Sequence, residues 1–355
     1  METRPGAPKA GTVIRTRAKP RCDFCGAEGV VRHRGLADRL YSAPGEWGFR
    51  ECPSPGCGLL WLDPTPVEED LGIAYDGYYT HSETAESSEA PSLAKRAYRF
   101  ARDGYLERRF GYDRGAPSPG RRLAGLLLYA FPGRRAALDF SVMYLPAAGG
   151  KRLLEIGCGR GDMVAWLSGL GWSAEGVDTD PAAIRVAREN GRNVRLGRME
   201  DEEGAPERFD AVVMSHLIEH VPDPRRLLRG ALRVLKPGGA LSIVTPNTRS
   251  LGHRRFGPTW FHLDPPRHLN LFHPALLRRL AEDAGFREAR VSTVIRDANS
   301  VFAASRAIAA TGRCSMGPPR GLPRALWAKA LQLREWRELR RDPEAGEEIA
   351  LVAGK

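Results

Sequence analysis

The chain has no apolar run long enough to cross a bilayer. A membrane helix takes roughly 18 or more uncharged apolar residues. The best stretch here, Ala124 to Gly133, has ten and contains Pro132. An apolar h-region is also missing from the first twenty residues, which are basic and rich in Pro and Gly. Residues 1–20 therefore read as a disordered tail and not as a signal peptide. Lysine is scarce, with seven residues, so arginine carries most of the basic charge behind the net +11. That charge is diffuse and lacks the aromatic-interleaved basic motif of RNA-binding domains, which argues against a dedicated nucleic-acid surface. The HExxH and EF-hand metal patterns are absent. At 355 residues there is room for one domain of catalytic size plus something smaller. A cytoplasmic globular protein is the expectation.

Cysteine is sparse but clustered. The six residues at 22, 25, 52, 57, 158 and 314 do not resemble a secreted disulfide framework. "CDFCG" and "CPSPGCGLLWLDP" instead give two pairs, Cys22/Cys25 and Cys52/Cys57, able to turn four thiolates towards one structural zinc ion. Such a site is closed, with no position left for substrate, and would hold together a module too small to stand unaided. The other readings are a redox pair at Cys22/Cys25 or four unrelated buried thiols. A zinc-ribbon-like module is expected over 21–80, then a Ser/Glu-rich linker and a helical arm over 81–148. The arm could be a lid, an amphipathic surface touching membranes or lipid-linked substrates, or simply a packed helical segment.

From Lys151 onward β-rich runs alternate with helical segments: Leu153–Ile156, Ala174–Asp178, Asn193–Leu196, Phe209–Met214 and Ala240–Val244. This pattern predicts an α/β, doubly wound, Rossmann-like sheet over 149–355. Asp180-Pro181 and Asp223-Pro224 supply caps and first residues for two of its helices. Residues 287–295 and "EEIALVAGK" are the expected sixth and seventh strands, the last antiparallel, with a helical insertion about 298–342. Ligands in such sheets sit beyond the carboxyl ends of the first strands. There lies "LLEIGCGRGDM". A dinucleotide turn would need a third glycine at position 162, where this chain has Asp162. Glu155 adds a second acid before the turn. Two carboxylates suit a cationic ligand without phosphate, and S-adenosylmethionine has that character. Asp178 ends the second strand, where a carboxylate can take both ribose hydroxyls. Cys158, between two glycines, reads as packing.

"LLEIGCGRGD", "GVDTDPAAI", "FDAVVMSHLIEHVPDP" and "LKPGGALSIVTPN" together resemble the successive motifs of class I S-adenosylmethionine-dependent methyltransferases. "SHLIEHVPDP" and "DPPRHLNLF" are similar to the branch holding ubiquinone-type O-methyltransferases and enzymes of polysaccharide and secondary-metabolite clusters. The N-terminal "CGLLWLDPTPVEEDLGIAYDGYYTH" resembles the zinc-ribbon segment that precedes such domains. The resemblance implies that Glu155, Gly157, Gly159 and Gly161 line the methionine part of the cofactor and Asp178 its ribose. It places Thr179, Met199 and Glu200 about the adenine, with Ser215 and His216 on the side where the methyl group leaves.

Methyl transfer is an in-line displacement, so the protein aligns two partners and removes a proton from a hydroxyl acceptor. Histidine is the natural base near neutral pH. His216, His220 and His268 are the catalytic candidates; His262, Arg267 and Asn247 are placed on the substrate side. His220 could equally be a structural hydrogen-bond partner, and "WFHLDPPRHL" a rigid Pro-turn braced by its His and Arg. The expected function is O-methylation of a small molecule or glycan, with peripheral membrane contact possible and the oligomeric state open. The alternative is a nucleic-acid-binding or modifying methyltransferase gripping through the ribbon and basic arm. The missing Asn-Pro-Pro-Tyr type motif for base-amine methylation weakens it.

Overall fold

The computed structural model describes residues 13–75, 92–113, 115, 118–202, 204, 206–314 and 321–355. Five short strands come first: β1 (Thr16–Arg17), β2 (Val30–Leu36), β3 (Trp47–Glu51), β4 (Leu60–Leu62) and β5 (Thr65–Pro66). A 3-10 segment, Glu68–Tyr75, follows. The arm consists of α1 (Leu93–Phe110), α2 (Pro119–Leu126) and α3 (Pro132–Ser141). Strands and helices then alternate: β6 (Arg152–Ile156), α4 (Asp162–Ser168), β7 (Ser173–Asp178), α5 (Pro181–Glu189) and β8 (Val194–Leu196). They continue as α6 (Met199–Glu202), β9 (Phe209–Ser215), α7 (Pro224–Val234) and β10 (Leu235–Pro246). The C-terminal part holds α8 (Leu251–Phe256), β11 (Asn270–Leu271), α9 (Pro274–Asp283), β12 (Arg287–Val294), α10 (Ala298–Thr311), α11 (Leu322–Glu338) and β13 (Glu348–Gly354).

The large sheet has seven strands in the order β12-β13-β10-β9-β6-β7-β8. It has the expected doubly wound form, with β13 antiparallel to both neighbours and the strands from β10 to β8 parallel. Central strands such as β9 are buried over nearly their whole length because helices cover both faces, so they read as continuous apolar runs. Chain order reverses on either side of β6, which opens a crevice at its carboxyl end. The Asp-Pro starts behave as local chemistry dictates. Asp180 accepts from the Ala182 amide at 2.8 Å and Asp223 from the Arg226 amide at 2.9 Å, with the proline filling the first turn. The Lys236–Gly239 turn follows the end of α7 and sits where β10 breaks register, between Leu235 and Ala240.

The N-terminal segment is not separate from this sheet. Its small sheet runs β11-β4-β3-β2, so one strand comes from residues 270–271. Cys22, Cys57, Leu59 and Trp61 share one apolar cluster with Leu154, Met214 and Phe272 of the large domain. The N-terminal tail is also shorter than expected. Residues 16–17 pair with 65–66, and Arg15 binds Asp70 through its amide at 2.8 Å and its guanidinium at 2.8 Å. The rest of that tail, and most of the expected linker with His81, lie outside the described residues. Among the described residues no helix is long and apolar enough to cross a membrane.

Candidate active site

A cavity of about 1850 Å³ opens at the reversal point of the sheet. One end is formed by the turn after β6. Gly157, Gly159 and Gly161 all have positive φ, at +74°, +51° and +75°, a region that side chains disfavour. An added Cβ on Gly157 would come within 2.8 Å of Leu217. The turn brings the Gly159 amide to Asp178 at 2.7 Å, and Asp178 also accepts from the Asp180 amide at 2.9 Å. Glu155 is 4% exposed, and its Oε2 has no hydrogen-bond partner among the described residues. Burial, with Asp178 beside it, pushes its carboxyl well above the ordinary range; burial likewise raises Asp178. A buried carboxyl oxygen without a partner invites a cation, so this end fits an ammonium group and a ribose. Asp162, in the first turn of α4, is paired with Arg160 at 2.6 Å.

Thr179, Met199, Glu200 and Ser215 line the same cavity, as do Glu155, Gly157, Gly159 and Asp178. Gly161 is not among the lining residues; it caps α4. Cys158 is buried beside Gly176, and burial pushes its thiol far up, which suits packing and not a nucleophile.

The other end gathers histidines and acids. His216 sits between Glu219 (Nδ1 to Oε1, 3.2 Å) and Glu348 (Nε2 to Oε1, 3.0 Å). Burial works against its charge, but the two carboxylates prevail and raise it to about 9. His216 lines the cavity, but both its ring nitrogens are already engaged, Nδ1 by Glu219 and Nε2 by Glu348 and by Arg296 Nη2 at 2.7 Å. Arg296 completes the ionic knot by pairing with Glu348 (Nε to Oε2, 2.8 Å) while stacking on Phe140 with 3.8 Å to the ring centroid. His220 is the opposite case. Burial and the neighbouring His268 bring it down to about 4, so it is neutral. Its Nδ1 lies 3.1 Å from the Arg267 carbonyl and 2.9 Å from the Tyr75 hydroxyl. With a hydrogen on Nδ1 donated to that carbonyl, Nε2 carries the lone pair. His268 directs Nδ1 to the His262 carbonyl at 2.7 Å and packs edge-on against His220. His262 is buried, lowered to about 3 by burial and by His216, and its Nε2 has no partner among the described residues.

Two expected substrate residues are elsewhere. Arg267 is 0% exposed and does not line the cavity. Its guanidinium is clamped by Asp38 through two bonds of 2.8 Å and by Asp264 at 2.9 and 2.5 Å. It braces the Pro-rich loop against the N-terminal segment, because a buried guanidinium needs every charge answered. Asn247 is fully buried, donating to the Glu344 and Gly346 carbonyls at 2.6 and 2.7 Å. It fixes the chain entering β13. Conversely, Tyr75, Arg296, Glu348 and Asp264 line the cavity without having been anticipated. The paired acids before the last strand were a faint signal for Glu348; nothing local pointed to Tyr75, 145 residues from its partner His220.

Among the described residues, two sets could hold an ion. Cys22, Cys25, Cys52 and Cys57 bring their sulfurs within 4.8 Å of one another. The Cys22–Cys57 and Cys25–Cys52 separations are 3.6 and 3.3 Å, near the about 3.8 Å edge of a tetrahedron with zinc–sulfur bonds of about 2.3 Å. Glu219, His220 and His268 also offer ligand atoms within 4.8 Å of one another. His273 lies by the first set, with its Nε2 at 2.9 Å from the Cys57 carbonyl.

Residues 122–290 match the family described as methyltransferase domain. The ubiquinone biosynthesis O-methyltransferase of Thiobacillus denitrificans is 34% identical over 149 residues, covering 38% of this chain and 64% of that protein. The enzyme of the same name from Xanthomonas oryzae is 36% identical over 120 residues, covering 31% of this chain and 48% of that one. The chain thus spans less than two thirds of the length of these curated relatives. A solved S-adenosylmethionine-dependent methyltransferase from Archaeoglobus fulgidus is similar with 24% identity and a TM-score of 0.42, covering 70% of this chain and 98% of that one. Residues 122–290 thus match a methyltransferase-domain family, and the seven-stranded order and the glycine turn resemble those of class I, S-adenosylmethionine-dependent methyltransferases.

Proposed function

We propose that this chain transfers a methyl group from S-adenosylmethionine to an oxygen of a small-molecule or glycan acceptor. One observation carries the reading: buried Glu155, whose Oε2 has no partner among the described residues, and the neutral His220 line the same cavity. When bound, the cofactor supplies a methyl carbon already activated by its sulfonium. Asp178 would hold the ribose hydroxyls, Glu155 the ammonium group, and Met199 and Glu200 the adenine edge. His220 would take the acceptor's proton at Nε2, with the Arg267 carbonyl and Tyr75 hydroxyl fixing its ring and Glu219 answering the positive charge it gains. His262 and His268 complete the acceptor wall. Carboxylates outnumber arginines among the lining residues, which disfavours a polyanion in this cavity. The relatives' name, ubiquinone biosynthesis O-methyltransferase, supports an oxygen of a small molecule as acceptor. The four cysteines would hold a structural zinc ion, which keeps Tyr75 and Asp38 in place.

Calorimetry tests the cofactor half. S-adenosylmethionine should bind the full chain, and Asp178→Ala should weaken it about 100-fold, since a half-buried acceptor of several hydrogen bonds is lost. Equal binding by wild type and variant overturns the reading.

A further inference from the structure

The arm helix α2 is built inside out. Its buried face holds Arg121, Gly125 and the following Leu128, whereas Leu123, Leu126 and Leu127 face water at 68%, 40% and 68% exposure. The cause is the contact with α1. The two backbones touch: a Cβ on Gly104 would lie 1.8 Å from the Arg121 carbonyl, and one on Gly125 2.5 Å from the Tyr105 amide. Arg121 is anchored in that contact by Glu107 at 3.0 Å. With backbone, glycine and a buried ion pair filling the inner side, the leucines have only the outer side. The apolar surface continues through Tyr129 at 38% and Phe131 at 55%. Nothing among the described residues covers it, and solvent-facing leucines in a row cost solubility unless something else does.

The charge around the patch says what does. Between Asp113 and Asp139 the sequence holds five arginines and no acid; Glu107 answers Arg121 and Arg122, and Arg134 and Arg135 carry the charge of the described face. Arg134 lies over the Tyr98 ring, 5.2 Å from its centroid, and Arg135 over Tyr129 at 6.0 Å. A second copy would set the same cations against each other in a chain of net charge +11. An anionic bilayer meets both features, taking the leucines into its interface and the guanidinium groups at its headgroups. We infer that Leu123–Phe131 is a docking face for an anionic lipid membrane. This goes beyond the methyl-transfer reading and does not depend on it. The face is joined to the cavity by α3, which starts beside Phe131 and carries Phe140 on the cavity wall, about 14 Å away along the helix.

Vesicle flotation with the full chain tests this. Phosphatidylcholine vesicles with about one-third phosphatidylglycerol should carry the protein, pure phosphatidylcholine should not, and binding should weaken as salt rises from about 0.1 to about 0.5 M. The double variant Leu123→Asn/Leu127→Asn alters only exposed side chains. It should lose binding by tenfold or more, on the order of the transfer free energy of one leucine, with an unchanged melting curve. No binding by the wild type, or equal binding by the variant, overturns the inference. So does light scattering that finds a wild-type dimer made monomeric by the same substitutions, because the face then belongs to a second copy.

Discussion

The two ends of the cavity solve the problem of buried charge in opposite ways. At the glycine turn, Glu155 and Asp178 are acids held among amides and apolar strands with no ion pair among the described residues, and burial raises both. At the histidine end, Glu219 and Glu348 are buried just as deeply but answered by His216 and Arg296, and both are held ionised at about 2 against the cost of burial. Unanswered charge marks where the fold waits for a partner from outside. Answered charge marks where it has fixed its own geometry, so that a neutral histidine can stand ready between rigid walls.

The contrast can be broken at several points. The largest expected effect is on turnover. His220→Ala should lower it by about 10²–10⁴-fold, the usual worth of a positioned base, while S-adenosylmethionine binding by calorimetry stays within about twofold. Unchanged turnover would remove His220 from the proton path. Next is Arg267→Met, which leaves Asp38 and Asp264 buried without their cation. Urea unfolding should show a loss of about 3–5 kcal/mol. Glu155→Gln is the counterpart at the other end. It removes an unanswered buried acid, so stability should stay level or rise by about 1 kcal/mol, even as cofactor affinity falls about tenfold. A destabilised Glu155→Gln protein would mean that Glu155 has a partner of its own.

The smallest effect is a pH slope. Because Glu155 is raised in the empty protein, the empty fold loses stability as pH climbs from the ordinary carboxylate value through the raised one. A bound cation favours the ionised form, so cofactor affinity should rise with pH over that same window, with release of a fraction of a proton. Titrations in buffers of different ionisation enthalpy measure it directly. No proton release, or uptake instead, would show that Glu155 does not meet the cation.

Much of this was legible along the chain because it is local. The glycines after β6, the Asp-Pro caps and the two cysteine pairs are each short motifs whose chemistry depends on near neighbours. The order of apolar runs was enough for the seven-stranded sheet. Arg267 and Asn247 were misread for the complementary reason. A polar residue in a Pro- and His-rich loop looks available until the fold shows Asp38, 229 residues away, already holding it. A base reading of His216 meets Glu348 of the last strand, 132 residues on, already at its Nε2. The N-terminal segment read as a separate module because nothing in its own residues reveals that β11 completes its sheet.

By itself, then, the sequence determined the strand–helix alternation, the glycine turn with its flanking acids and the two cysteine pairs, since torsional preference, capping and ligand spacing act over a few residues. Tertiary structure decided the rest: which histidine is neutral, which arginine is a brace, and that Tyr75 reaches the site. Protonation and burial depend on charges and walls brought together from distant segments, and no local pattern encodes them.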